Sequence, residues 1–300
     1  MALFPTLPAL ATKDNTALDG MFYDIGALSR EERAEVRRKS GPGGRVEGMI
    51  LEVGPSWARS LRVWQSLRKC DSLAPRYRAI TVAGVGSSAL GAAALARNVA
   101  DALHGTVLAV VSGQGMADLA SEAMGGYFLF GGLNTMRHGV NAYDRSMDAL
   151  WAWAPWARRP AMPSVDPGQG FQLARFSKDV KALVELLDGR VEADWLVGHS
   201  KGNLVISEAL YALRGADPKR FETVARDVPI VTFGARIAMP NEIARVIDVM
   251  GDLDSFGAMN SRPDIPVDVT VPNAWHHTNT ALPFHVPVTK VLSDVVRGSD

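Results

Sequence analysis

The sequence predicts an α/β protein with a mostly parallel, doubly wound sheet, because short apolar runs alternate with helical patterns along most of the chain. One unit has a strand at residues 79–83, an alanine-rich helix at 89–103 and a second strand at 107–111. A right-handed crossover is the expected connection between two such strands. Further strands are predicted at residues 195–197, 229–235, 244–250 and 267–271.

The composition excludes several classes of protein. The chain has 300 residues, of which 47% are hydrophobic and 21% charged, so it can form a large buried core. Lysine plus arginine and aspartate plus glutamate both number 32, which argues against nucleic acid or an anionic membrane surface as a partner. The single cysteine, Cys70, allows neither an internal disulfide nor a cysteine-based metal cluster. No apolar run reaches the roughly 20 residues of a membrane span and no signal-peptide pattern is present, so we expect a cytoplasmic protein without a membrane span.

Residues 1–75 are predicted to form an N-terminal helical extension to a domain that spans residues 76–300. Residues 29–39 begin with a capping-box pattern and are charged all round, which favours a solvated helix. A second helix is predicted over residues 57–69, where apolar residues recur at intervals of three or four. This second helix is expected to pack on the domain through its apolar stripe.

The strongest motif is Gly198-His199-Ser200-Lys201-Gly202, which lies between a predicted strand and a predicted amphipathic helix. In a G-x-S-x-G turn of this kind, the glycines allow strand and helix to pack closely, and the serine projects from the top of the sheet. The positive end of the helix favours negative charge nearby, and the Lys201 backbone N–H lies where an oxyanion would form. A glycine-rich turn with an N-capping serine is the alternative, but the flanking strand and helix favour Ser200 as a nucleophile.

A serine nucleophile requires a base, and a carboxylate that orients the base. In hydrolases with this motif, the carboxylate and then the histidine follow the serine in the chain. Two carboxylates, Asp252 and Asp254, follow the penultimate predicted strand, and Asp254 is preferred because it stands further out in the loop. His276 is the first candidate for the base, His277 the second and His285 the third, since all three follow the last predicted strand.

The loop after the strand at residues 79–83 has two interpretations. Residues 84–89 fit G-x-G-x-x-A, a dinucleotide-binding fingerprint, and they stand between a strand and a helix as that fingerprint requires. The fingerprint also needs an acidic residue at the end of the next strand, where this chain has Val-Ser-Gly at 111–113. In the hydrolase interpretation, backbone N–H groups of the same loop, with Val85 as the candidate, complete an oxyanion hole opposite Lys201.

The Ser200 motif, the Val-Thr-Phe-Gly-Ala run that ends at Ala235 and the acid and histidine loops resemble the α/β-hydrolase superfamily, and the run is similar to class 3 lipases. The resemblance covers about residues 76–296. It implies an α/β-hydrolase fold and ester hydrolysis through an acyl-enzyme on Ser200, without a cofactor or a metal. Lys201 and Asn203 stand where that lipase group commonly has leucine and glycine, and the loop after the first strand lacks the usual His-Gly.

Residues 114–170 are predicted to form an inserted cap or lid, because a connection of this length in a compact domain is usually functional or carries elements of its own. The segment is rich in glycine, tryptophan, methionine and proline. Its aromatic residues either line an apolar acyl pocket or pack the cap onto the sheet. The expected substrate is an ester of an apolar acyl group, such as a lipid or an intracellular polyester, and the alternative is a ligand-binding module that uses this scaffold without catalysis.

Overall fold

The computed structural model describes residues 15–41, 46–70, 72–84, 87–112 and 177–298. In these ranges the protein has an α/β architecture, with one large sheet covered by helices on both faces. The strands are β1 (Ile50–Val53), β2 (Leu61–Trp64), β3 (Arg76–Tyr77), β4 (Ala79–Val82), β5 (Val107–Val110), β6 (Glu192–Ala193), β7 (Leu196–His199), β8 (Ile230–Phe233), β9 (Val246–Gly251) and β10 (Val269–Val271).

The main sheet has eight strands in the order β10-β9-β8-β7-β4-β5-β1-β2, and β3 pairs separately with β6. From β10 to β5 all neighbouring strands are parallel, whereas β1 runs antiparallel to both β5 and β2. The predicted α/β class and mostly parallel sheet are therefore confirmed.

The helices cover both faces of this sheet. The helices in the described residues are α1 (Asn15–Phe22), α2 (Arg30–Ser40), α3 (Ala89–Leu103), α4 (Lys178–Glu185), α5 (Lys201–Ala216), α6 (Pro218–Asp227), α7 (Ser255–Met259) and α8 (Val288–Arg297). Residues of α2, α3 and α8 join the core on one face, and residues of α4, α5 and α6 join the core on the other. None of the helices in the described ranges combines the length and the apolar character that crossing a bilayer requires.

Strand β5 is apolar along its whole length because both faces of the sheet are covered there. In β5, Val107 and Ala109 belong to the core on the α3 face, while Leu108 and Val110 belong to the core on the α5 face. All four side chains are buried. Successive side chains of a strand point to opposite faces, so an apolar residue at every position serves two helix layers at once.

The N-terminal part differs from the prediction. The helix with the capping box is confirmed as α2, in which the Ser29 side chain accepts the Glu32 N–H and the Glu32 carboxylate accepts the Ser29 N–H. The helix predicted over residues 57–69 is wrong, because this region holds β2 and a short 3₁₀ turn at Leu67–Lys69. Over so few residues, the spacing of apolar side chains does not distinguish a strand from a helix. The strand conformation is determined instead by the pairing of β1 with β5 and β2. Residues 50–64 are thus part of the main sheet and not of a helical extension.

Most of the other predicted elements are found near their predicted positions. The alanine-rich helix α3 has the bounds predicted for it, and the strands predicted at 195–197, 229–235, 244–250 and 267–271 appear as β7 to β10 with ends shifted by a few residues. The cap or lid predicted at residues 114–170 lies outside the described residues.

Candidate active site

The residues singled out by sequence follow the carboxyl ends of neighbouring parallel strands. The chain leaves β4 through α3 on one face to reach β5, and it later returns through α4 on the opposite face to reach β7 on the other side of β4. Ligands of open α/β sheets bind at such a switch point, in the crevice outside the carboxyl ends of the strands. Gly84 after β4 and Ser200 after β7 lie at this crevice.

Ser200 occupies a sharp turn between β7 and α5. Its φ of 53° and ψ of −123° are rare for a residue with a side chain, and its N–H donates to the Phe233 carbonyl at 2.8 Å. A Cβ atom added to Gly202 would lie 2.1 Å from the Val82 carbonyl oxygen, and one added to Gly198 would lie 2.2 Å from Asn203 Oδ1. Both motif glycines are therefore required by the close packing of α5 against β4 and β7.

Ser200, His276 and Asp254 form a continuous hydrogen-bonded series. Ser200 Oγ lies 3.0 Å from His276 Nε2, and His276 Nδ1 lies 2.9 Å from Asp254 Oδ2. The Asp254 carboxylate accepts a hydrogen bond from the Nδ1–H group, so Nε2 carries a lone pair directed at the serine hydroxyl. All three residues are buried. This arrangement allows the imidazole to take a proton from Ser200.

Asp254 is held in place by the start of helix α7. Its Oδ1 accepts the Gly257 N–H at 2.6 Å as the N-cap of that helix, and the same carboxylate faces His276. The residue as a whole is only 2% exposed. Asp252, the alternative acid, is exposed, and its backbone N–H pairs with the Val271 carbonyl. The structure therefore brings Asp254, and not Asp252, to the histidine.

The other two candidate histidines lie outside the series. His277 Nε2 lies 2.9 Å from the Pro283 carbonyl oxygen, and burial lowers the pKa of this imidazole. His285 Nδ1 contacts the Leu282 carbonyl at 3.0 Å. Adjacent residues of an extended loop point in different directions, so only His276 of the tandem pair reaches Ser200. Thus His276, the first candidate, faces Ser200, and His277, the second candidate, does not.

Aromatic rings surround the imidazole of His276. The Phe256 ring meets it edge-on with a centroid distance of 4.8 Å, and the Phe22 ring does so at 6.1 Å. The ring centroids of Trp275 and His199 lie 6.5 and 5.0 Å from that of His276. These rings restrict rotation of the imidazole and lower the local dielectric, which strengthens its hydrogen bonds.

The two predicted oxyanion donors follow different strands, β7 for Lys201 and β4 for Val85. Lys201 is the first residue of the 16-residue helix α5, directly after Ser200. Val85 lies outside the described residues. Gly84, just before it, packs against Ser200, since a Cβ atom added there would lie 2.8 Å from Ser200 Cβ. The loop after β4 is thus next to the serine, as an oxyanion loop must be.

Three buried residues that shape the site were not predicted from the sequence. Tyr23 and His199 contact each other, and His199 also contacts the backbone of His276. Asn203, noted only as a departure from the lipase pattern, donates from Nδ2 to the carbonyls of Phe233 and Ala235. These bonds hold the loop after β8 against α5. No signal in the sequence indicates these contacts, because each partner is distant along the chain.

Comparison of the chain with protein-family models, with curated proteins and with solved structures found no match. Among the described residues, no group of three or more histidine, cysteine, aspartate and glutamate side chains is arranged to hold a metal ion. The function is therefore inferred from the geometry of the Ser200 site.

Proposed function

We propose that the protein is a serine hydrolase that cleaves carboxylic esters through an acyl-enzyme on Ser200. The observation that carries this proposal is the buried series from Ser200 Oγ through His276 to the Asp254 carboxylate. A serine within hydrogen-bond reach of an oriented imidazole is activated as a nucleophile. A protein that only binds a ligand does not need serine, histidine and carboxylate in this arrangement.

In the proposed reaction, Ser200 Oγ attacks the ester carbonyl carbon while His276 Nε2 accepts the hydroxyl proton. The ester C–O bond then breaks, and the imidazolium gives that proton to the departing alcohol oxygen. Water attacks the acyl-enzyme in the second half, with His276 accepting a proton from the water and returning it to Ser200 Oγ as the acid leaves. Asp254 stabilises the imidazolium in both halves.

The oxyanion of each tetrahedral intermediate is placed between two backbone N–H groups. Lys201 supplies one, because it begins α5 and adds the positive end of the helix dipole. Gly84 does not supply the other, since its N–H already donates to the Tyr23 hydroxyl at 2.7 Å. We assign the second donor to Val85, the next residue of that loop.

The order of the elements supports membership of the α/β-hydrolase superfamily. Ser200 follows β7, Asp254 follows β9 and His276 follows β10, which is the chain order of nucleophile, acid and base in that superfamily. The turn between β7 and α5 has the strained backbone and the close glycine packing of a nucleophile elbow.

The dinucleotide interpretation of residues 84–89 conflicts with the contacts of α3. Asp19 Oδ1 accepts the Ser88 N–H at 2.9 Å, and the Ser88 hydroxyl contacts the same carboxylate. This carboxylate lies at the N-terminus of α3, where the fingerprint would place a pyrophosphate. A pyrophosphate would meet a negative charge there and find the Gly84 N–H already bonded.

Labelling with a fluorophosphonate tests the proposed nucleophile without the natural substrate. We expect one covalent adduct per chain, at Ser200, because the phosphonate reports an activated serine. Ser200→Ala should abolish the adduct. Ser207→Ala is the matched control, since Ser207 is a buried serine on the same helix whose hydroxyl donates to the Ala238 carbonyl. Absence of labelling in folded wild-type protein would contradict the hydrolase and favour a binding module.

The surroundings of the site indicate an apolar acyl group. Several exposed apolar side chains, each between 38% and 62% exposed, lie on segments that carry or touch the triad. They are Met21, Leu253, Met259, Leu282 and Phe284. Exposed apolar side chains on segments that carry a catalytic group can contact an apolar substrate, and we assign the acyl chain of the ester to them.

A panel of p-nitrophenyl esters from acetyl to palmitoyl tests this substrate class. We expect kcat/KM to rise about tenfold or more from acetyl to longer chains, as added methylenes bury apolar surface. Phe284→Ser should reduce the rise of kcat/KM with chain length. Trp57→Ser is the control and should leave that rise unchanged, because Trp57 is also exposed but packs beside His104 and not at the site. A preference for acetyl or for charged acyl groups would contradict the proposal.

A further inference from the structure

Two buried side chains beside the triad, Tyr23 and His199, have no role in the reaction described above. The Tyr23 hydroxyl lies 3.0 Å from His199 Nδ1 and accepts the Gly84 N–H at 2.7 Å. On the other side of the ring, His199 Nε2 lies 2.9 Å from the backbone carbonyl oxygen of His276. This hydrogen-bond chain connects the loop after β4 to the residue that carries the base.

The chemistry of the partners sets the direction of each bond in the chain. A backbone carbonyl only accepts, so His199 carries its proton on Nε2 and donates it to His276. Nδ1 of the neutral ring is then an acceptor, and the Tyr23 hydroxyl donates to it while accepting from Gly84. Burial lowers the pKa of His199 to about 3, which keeps the ring neutral and the direction of the bonds unchanged at neutral pH.

A neutral His199 matters because His276 gains a positive charge in each half of the reaction. The two ring centroids are 5.0 Å apart, and a second positive charge at that distance would oppose proton transfer to His276. The titratable groups that act on His199 are His276, Asp254 and His277, besides the Tyr23 hydroxyl bonded to it. His199 therefore binds the base loop without competing for the proton.

Tyr23 is anchored from both sides of the crevice. The Phe22 carbonyl accepts the backbone N–H and the hydroxyl of Thr278, two residues after His276, at 2.8 and 3.0 Å. Before Tyr23 in the chain, the Asp19 carboxylate accepts the Ser88 N–H at the start of α3. The segment around Tyr23 thus bridges the histidine loop and the loop after β4.

We propose that Tyr23 and His199 are positioning residues that set the distance between the oxyanion loop at Gly84 and the base His276. The inference rests on the proposed serine hydrolase function. Movement of the His276 backbone would lengthen the bonds to Ser200 and Asp254 together. Movement of Gly84 would disturb its close packing against Ser200, so one hydrogen-bond chain aligns the base and the nucleophile.

Substitutions can remove single links from this chain. Tyr23→Phe deletes the hydroxyl and keeps the ring, and His199→Phe deletes both links of the imidazole. His199→Gln is the conservative variant, because its amide N–H can donate to the His276 carbonyl. Tyr77→Phe is the matched control: the buried Tyr77 hydroxyl also accepts a backbone N–H, that of Ala74, and contacts a side chain, Glu52, but it lies at the amino end of the strands.

We expect Tyr23→Phe and His199→Phe to lower kcat and the rate of fluorophosphonate labelling about 10- to 100-fold, the scale of a misplacement below 1 Å, with KM within about twofold. His199→Gln should recover most of the loss. The double variant with both phenylalanines should be no slower than His199→Phe alone, because both changes break the same chain. Tyr77→Phe should lower the melting temperature and leave the labelling rate at the wild-type value.

Nitrogen-15 NMR of the histidine rings tests the chain in the resting protein, independently of turnover. From about pH 5 to 8, His199 should show a neutral ring protonated at Nε2, and Tyr23→Phe should shift its Nδ1 signal and the Nδ1–H signal of His276. A ring protonated at Nδ1, or His276 signals unchanged in Tyr23→Phe, would overturn the positioning role. So would a wild-type labelling rate in Tyr23→Phe. If the fluorophosphonate does not label the wild-type protein but the NMR signals are as expected, the hydrolase proposal alone is contradicted.

Discussion

His276→Ala is expected to lower kcat about 10⁴- to 10⁶-fold, whereas His277→Ala is expected to leave it within about twofold. The two histidines are neighbours in one loop, and both are at least 96% buried, since their exposed fractions are 2% and 4%. Only His276 reaches Ser200 Oγ, while His277 Nε2 contacts the Pro283 carbonyl. Without the His276 imidazole, the serine hydroxyl keeps its proton and is a poor nucleophile at neutral pH.

Steady-state kinetics on the best ester of the panel measures this difference. His277→Ala is the matched control, because it removes an imidazole of the same size from the same loop. Thermal unfolding of both variants shows whether the fold survives. A large loss of kcat in His277→Ala, with His276→Ala active, would mean that the other histidine is the base. Equal losses in both variants would point to a disturbed loop and contradict the assignment.

Glu32→Gln is expected to lower the free energy of unfolding by about 3 to 5 kcal/mol, because it leaves the charge of Arg97 buried without a partner. Arg97 on α3 and Glu32 on α2 form an ion pair, with side chains 1% and 8% exposed. A guanidinium in this position cannot be solvated by bulk water. The amide of glutamine accepts a hydrogen bond but carries no charge to offset that of the arginine.

Denaturant unfolding measures the loss, and the same helix provides the control. Glu35 and Arg38 form an ion pair on the exposed side of α2, with side chains 37% and 65% exposed. Glu35→Gln should therefore change the free energy of unfolding by no more than about 0.5 kcal/mol. Replacing both buried partners together, by Glu32→Leu and Arg97→Met, should recover part of the loss, because the buried charge is gone although the capping bond of Glu32 to Ser29 is lost as well. Equal effects of Glu32→Gln and Glu35→Gln would contradict a buried pair that couples α2 to α3.

Local sequence patterns determined much of the fold and the position of Ser200. The Ser29 capping box, the bounds of α3 and the strand, turn and helix around Ser200 all depend on residues a few positions apart. The glycines of the Ser200 motif indicate that two segments pack closely. In the structure a Cβ atom at Gly198 or Gly202 would collide with its neighbours, which explains why glycine is needed there. These features can be predicted from the sequence because each depends on residues that are neighbours in the chain.

Tertiary structure alone decided the members of the site that lie far apart in sequence. Asp252 and Asp254 are the same type of residue, as are His276 and His277, and each pair lies in one loop, so the chain order did not separate the members of either pair. The direction of each side chain depends on distant partners, as the N-cap of α7 does for Asp254.

The same reason explains what the sequence did not predict at all. The strand β1 forms because β5 lies beside it, although Val53 and Val107 are far apart in the chain. Tyr23 contacts His199, which is 176 positions away in the chain, and completes a hydrogen-bond chain that no periodicity or motif predicts. A hydrogen bond depends on distance and angle to within fractions of an ångström, and only the folded arrangement of the strands and loops sets these.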